Sequence, residues 1–284
     1  CATEMIGPCR FAEWSPDGEP LATDCPEAWV QTAAVSLEQT KNTMRLFPGL
    51  FTEEAKRRFR IQVGKEVIHA LGDTRLIQAV TSSPATLEGA RSTFVLMNET
   101  HLWTGSNEGH DMADVIERNA TKSPDGAART LRITNAPEPG EDSVAERDRE
   151  AWQAVESGKA ADTGLLYDSL EAPPDAALSP EAAPDVIRAI RGDSTWLSVE
   201  RVVDSIMDVR NPPSRSRRFW YNQIVATEDA WVAPYEWDAR ADPTVVVADG
   251  AEVTLGFDGS KSDDDSALIG CLVDSDHLFE VEVW

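Results

Sequence analysis

The chain has 284 residues, 50 acidic against 26 basic side chains, a net charge of −24 and 41% hydrophobic content. That length asks for one large or two smaller domains, each with a core to bury. The acidity argues against a protein that coats nucleic acid through a basic surface. No apolar run approaches the roughly 18 residues of a membrane helix, so we expect a soluble protein without a membrane partner.

Four cysteines (Cys1, Cys9, Cys25, Cys271) show no CxxC or zinc spacing, which fits free thiols in a reducing cytoplasm. The opening CATEMIGPCRF lacks the charged-then-apolar order of a secretion signal. A chain that opens on Cys reads as a fragment or a processed product. Two basic clusters, KRRFR (56–60) and RSRRFW (215–220), run against the overall charge. Each is either a solvated face or a phosphate-contacting patch.

In chain order, residues 1–27 read as irregular, with turn chemistry at WSPDGEP (14–20). WVQTAAVS (29–36) predicts a buried strand, and Leu37, Thr40, Met44 and Phe47 after it are spaced as a helix. Residues 58–83 predict strands around a Gly-Asp turn at 72–73. STFVLMNE (92–99) is a continuous apolar strand of the kind buried on both faces of a parallel sheet. A helix is expected over 111–122, a strand over 129–136, a helix over 143–159, and strand then loop over 164–173. Residues 172–186 read as a hinge, 194–208 as a helix and 211–217 as a linker. Within 244–284 the texture turns to three short strands in meander style. Strands alternating with helices give an α/β fold, three layers around a mostly parallel sheet, and in such sheets function gathers beyond the carboxyl ends of the strands.

Two such ends carry candidate chemistry. Asn98 and Glu99 follow the strand over 92–97, where one side-chain oxygen can order magnesium and the carboxylate can activate water. A buried strand meeting a polar loop is the plainer reading of that pattern. One strand later stand Thr134 and Asn135, of a type that senses a phosphate. The loop over 81–91 is expected to bring Arg91 to the mouth of the sheet, where a guanidinium can meet phosphate charge; a plain surface residue is the alternative. The chain contains no GxxxxGK[ST] phosphate cradle, and Gly64–Lys65 is followed by Glu66 without the upstream glycine. Asp258, at the end of VTLGFD, is placed either to hold a nuclease metal ion or to cap its own turn. Asp263, Asp264 and Asp265 read as a solvated turn, and the four histidines (His69, His101, His110, His277) lack ligand spacing.

Six segments in order, WVQTAAVSLEQTKNTMR, VTSSPATLEGARSTFVLMNETHLW, RITNAPEPGEDSVAE, GLLYDSLEAP, RRFWYNQIVATEDAWV and VTLGFDGSKSDDDSALIG, resemble the large terminase subunit of tailed bacteriophages and prophages, actinobacterial type. The resemblance implies an ASCE-type P-loop ATPase domain over 1–210, without its phosphate-loop segment. It further implies a linker over 211–250 and the first strands of an RNase H-like nuclease domain over 251–284. The activity implied is ATP-driven packaging of double-stranded DNA with cleavage of concatemers, using ATP and Mg2+, and Mg2+ or Mn2+ in the nuclease. The partners implied are the portal protein, the small terminase subunit and further copies of the chain in a ring on the portal, in the host cytoplasm. By position, Glu99 is the catalytic glutamate, Asn98 stands where the family has a magnesium-supporting Asp, Thr134 and Asn135 form the coupling motif, and Asp258 is the first nuclease ligand. The resemblance places the phosphate loop upstream of Cys1 and the later nuclease acids beyond Trp284, so the chain alone is expected to be inactive. A Cys just past such a loop is also what an intein-interrupted gene leaves. The alternative is a decayed prophage remnant that acts at most as a binding module, which Asn98 favours.

Overall fold

The computed structural model describes residues 1–81, 84–225, 240–242, 244–259 and 266–283. Asp263, Asp264 and Asp265, Ser82 and Ser83, and the end of RRFWYNQIVATEDAWV lie outside the described residues. The chain divides into two compact units, Cys1–Pro234 and Tyr235–Trp284.

In the first unit a short helix α1 (Ala2–Ile6) leads into a two-stranded hairpin, β1 (Pro8–Trp14) and β2 (Pro20–Asp24). The irregular segment expected there is thus ordered, and WSPDGEP makes its turn. Strand β3 (Trp29–Ala34) follows, then helices α2 (Leu37–Met44), α3 (Phe47–Leu50) and α4 (Glu53–Arg58). Ser36 caps α2 by accepting from the Gln39 N–H, and Pro48 occupies the first turn of α3, where a missing N–H costs nothing. Next come β4 (Gln62–Val63), β5 (Val67–Ala70), β6 (Arg75–Thr81), the short helix α5 (Pro84–Leu87) and β7 (Phe94–Asn98). Helix α6 (Gly109–Thr121), β8 (Arg129–Ile133) and α7 (Val144–Glu156) complete the sheet domain.

The six strands lie in the order β4-β5-β6-β3-β7-β8. β3 runs parallel to both β6 and β7, β7 runs parallel to β8, and β5 runs against the others, pairing antiparallel with both β4 and β6. Side-chain alternation divides β3 between two cores. Val30 faces one with Met5, Met44, Phe47 and Ile77, while Ala33 faces the other with Val95, Met97, Trp103, Met112 and Ile116. Apolar layers on both sides make the three-layer α/β architecture expected from the alternating strands and helices.

Residues 164–170 form no strand; Arg149 pins them to α7 through Glu171, and Tyr167 stacks on Trp152 at 4.7 Å. Helices α8 (Ala183–Ile190), α9 (Val199–Met207) and α10 (Pro213–Trp220) build a third core around Ile187, Val202, Ile206 and Tyr221. Two expectations change here. The hinge over 172–186 ends in a helix, because Ala183, Val186 and Ile187 are spaced to bury one face. The linker over 211–217 is mostly α10, so the boundary expected at 210 falls inside the first unit. Pro213 fills a first helical turn, and Tyr221 anchors the segment, fully buried with its hydroxyl donating to the Ala177 carbonyl at 2.9 Å.

The second unit contains an antiparallel sheet of β9 (Val253–Asp258), β10 (Ala267–Leu272) and β11 (Leu278–Val283), in the order β11-β10-β9. Those are the three short strands expected. Among the described residues, no helix is long and apolar enough to cross a membrane.

Candidate active site

The carboxyl end of β7 turns abruptly. Asn98 is the last ladder residue, paired with Ile133, and Glu99 extends the ladder once more through its N–H to the Ile133 carbonyl at 2.8 Å. Glu99 then takes a left-handed backbone conformation (φ 57°, ψ 52°), which costs a non-glycine residue roughly 1–3 kcal/mol and persists only where the surroundings over-determine it. A single turn of 3-10 helix over Thr100–Leu102 follows. Trp103 fixes this corner: it is fully buried, its indole N–H donates to the Asn98 carbonyl at 3.0 Å, and its own carbonyl accepts from the Val144 N–H at 2.8 Å. At Gly109 any Cβ would lie 2.6 Å from the Trp103 Cα, so only glycine lets α6 start so close.

That corner brings Glu99 and Thr134 together through His101. The His101 ring nitrogen Nδ1 lies 3.3 Å from Glu99 Oε2 and 3.1 Å from Thr134 Oγ1. The His101 backbone N–H also donates to Thr134 Oγ1 at 2.9 Å, and that hydroxyl donates on to the Asn135 carbonyl at 2.9 Å. The His101 side chain is 5% exposed and that of Glu99 37%. Burial lowers the His101 pKa to about 4, with the nearby Arg218 charge adding to the effect, so the ring is neutral near pH 7. Burial pushes the Glu99 carboxyl upward, the direction that suits a group handling protons. The buried Thr100 hydroxyl, on the next residue, has no hydrogen-bond partner among the described residues. On this strand Val95 and Met97 face the α6 side, so alternation puts Asn98 on the opposite face, with Leu96.

The loop after β8 is held from a distance. Arg218 Nε donates to the Ala136 carbonyl at 2.9 Å and its NH1 pairs with Glu138 at 2.5 Å. The Asn222 side chain accepts from the Ala136 N–H at 2.9 Å and donates to the Leu170 carbonyl at 3.2 Å. Arg217 donates to the Ala176 carbonyl and to Gln223. Arg217 and Arg218 of the second basic cluster are therefore structural clamps, whereas Arg215 and, in the first cluster, Arg57, Arg58 and Arg60 are exposed. Beside the loop a cleft of about 1150 Å³ is lined by Thr100, Ile133, Thr134, Arg149 and Tyr167 among others.

Arg91 corrects an expectation. It precedes β7, whereas Glu99 follows it, and Thr93 bonds the backbone of Trp29, the first residue of β3. The guanidinium is thus rooted at the amino end of the sheet, a strand's length from Glu99, and cannot join this chain's own Glu99 site. The loop length misled because a loop between parallel strands returns to the starting edge before the next strand begins. Asp258 closes β9, is exposed, and sits opposite Ala267. Among the described residues no group of three His, Cys, Asp or Glu side chains is placed to hold a metal ion. His101 and Arg218 are what reading by spacing missed. His101 lies three residues from Asn98, but its partner is 33 residues away, and only the β7–β8 pairing brings them into contact.

No family model matches the chain. Over its whole length it is 41% identical to the gene 13 protein of Mycobacterium phage D29 and 40% identical to that of Mycobacterium phage L5. It spans 52% and 53% of those proteins, about half the length of each. The large terminase of bacteriophage HK97 superimposes on all of the chain and 54% of its own length, with a TM-score of 0.55 at 17% identity. The chain is thus a relative of the mycobacteriophage gene 13 proteins, and its fold is that of the phage large terminases.

Proposed function

We propose that this chain is the part of a DNA-packaging motor that carries the hydrolytic carboxylate of a nucleotide site, joined to the opening strands of a metal-dependent nuclease. The observation that carries the reading is Glu99, held in a strained turn at the carboxyl end of a central parallel strand and tied to Thr134 at the end of the next. Glu99 is the group that orients and deprotonates the attacking water, and its raised pKa and half-buried setting suit that task. Thr134 and Asn135 pass the state of the site to the loop clamped by Arg218 and Asn222, and so to α8–α10. Double-stranded DNA, the portal protein, the small subunit and neighbouring copies on the portal are the partners this reading assigns.

The donor set also bears on the cofactors. Asn98 and Glu99 offer one amide and one carboxylate, too few for a free-standing ion site, yet suited to a magnesium that arrives with nucleotide phosphates. Asn98 and Glu99 would hold that ion through its waters, and bound there it would neutralise phosphate charge. The Thr100 hydroxyl, next in the chain after Glu99, is a buried polar group without a hydrogen-bond partner among the described residues. At Asp258 the described residues supply a single carboxylate, which does not suffice for two-metal chemistry, so it is assigned only as the first acid of the nuclease.

ATP turnover by the purified 284-residue chain should be negligible, since it contains no phosphate cradle. Turnover that disappears on Glu99→Gln would contradict that division of labour. Asn98 favours a second reading, a remnant that has lost hydrolysis and persists as a binding module. With this segment carried in the full-length D29 gene 13 protein, hydrolysis by Asn98→Asp but not by the native residue would establish it. Hydrolysis by both would exclude it.

A further inference from the structure

We propose that His101 is a positioning residue: its Nδ1–H is shared between the Glu99 carboxylate and the Thr134 hydroxyl, so that the loop after β8 sets the orientation of Glu99. A donor and acceptor count leads there. The single Thr134 hydroxyl hydrogen goes to the Asn135 carbonyl, so Oγ1 acts only as an acceptor toward His101. One of its lone pairs takes the His101 backbone N–H, and Nδ1 approaches it as a second neighbour. Nδ1 also faces a carboxylate oxygen, again an acceptor. A bare Nδ1 would set lone pairs against each other on both sides, so Nδ1 carries the hydrogen and Nε2 does not. This is the less common tautomer of imidazole in water, which makes the assignment easy to distinguish. A contact at 3.3 Å and one at 3.1 Å describe one hydrogen divided between two acceptors. Any shift of Thr134 relative to β7 changes that division, and with it the hold on Glu99.

The inference rests on the hydrolytic reading of Glu99 for its consequence but not for its geometry, so two measurements separate them. In the 284-residue chain labelled with 15N-histidine, long-range proton–nitrogen correlation at neutral pH should show His101 in the Nδ1–H form. An Nε2–H form, or averaging between the two, would overturn the proposal whatever the chain does. In the full-length D29 gene 13 protein carrying this segment, ATP hydrolysis is compared for His101→Asn, His101→Gln and His101→Ala. The Asn amide N–H falls where Nδ1–H was, so Asn should retain turnover within about threefold, while Gln and Ala lose roughly 10- to 100-fold in kcat with KM nearly unchanged. Equal losses in Asn and Gln, or none in any variant, would overturn the positioning role. Should Glu99→Gln in the same protein hydrolyse normally, the hydrolytic reading fails, while the tautomer assignment stands or falls on the nitrogen spectrum.

Discussion

Glu99 and Asp258 look alike in the sequence, each an acid at the tip of an apolar strand, but the structure treats them differently. Glu99 ends a central strand between two cores, in a strained turn locked by Trp103 and Gly109, and its carboxylate meets a buried histidine and the loop of the neighbouring strand. Asp258 ends an edge strand of a three-stranded sheet, exposed, without an acid cluster around it among the described residues. An acid at a strand tip is thus a position; chemistry begins where other elements desolvate it, aim it and hold it.

That contrast can be broken by removing what holds Glu99. Trp103→Ala empties the corner of a fully buried indole and should cost about 4 kcal/mol, read as a lower urea midpoint by tryptophan fluorescence. Arg132→Met comes next at about 3 kcal/mol. Arg132 bridges Glu117 on α6 and Asp148 on α7, and its loss leaves the partly buried Asp148, whose pKa burial already raises, without its cation. Thr134→Val should cost about 1–2 kcal/mol by leaving the His101 N–H unpaired in the same titration.

The pH dependence follows from His101. Its native pKa of about 4 lies below the ordinary 6.5, so between those values the unfolded chain takes up a proton that the native chain does not. Its contribution is complete above about pH 6.5 and is lost as pH falls toward 4, by at most about 1.4 kcal/mol per pH unit. His101→Asn should flatten that part of the profile of unfolding free energy against pH. The smallest effect belongs to the other acid: Asp258→Asn should change stability by less than about 0.5 kcal/mol, as exposed substitutions away from structured partners do. A larger loss would mean that Asp258 has partners and would blur the contrast.

Much of the sheet was legible because local pattern decides it. The run at 94–98 is apolar enough to be buried on both faces, 29–34 reads as a buried strand and 75–81 as a strand after a Gly-Asp turn, and such runs can be read without knowing their neighbours. The hairpin over 8–24 was not legible, since Phe11, Trp14 and Leu21 stay exposed and no alternation marks a buried face. Helix α10 was hidden by Asn211, Pro212 and Pro213, which read as a linker although the second proline sits in a first helical turn. At the site, Glu99 and Thr134 could be named from strand ends alone. His101 could not, because its role is set by pairing across the β7–β8 ladder, and Arg218 could not, because its target carbonyl lies 82 residues back. Arg91 failed for the same reason in reverse, through the direction in which a parallel strand must be entered.

The most direct measurement uses the full-length D29 gene 13 protein carrying this segment, assayed for both ATP hydrolysis and cleavage of duplex DNA. Glu99→Gln should reduce ATP turnover at least about 100-fold, while Asp258→Asn should leave turnover within about twofold and abolish cleavage. Turnover that survives Glu99→Gln, or that collapses on Asp258→Asn with cleavage intact, would contradict the assignment of the two strand tips.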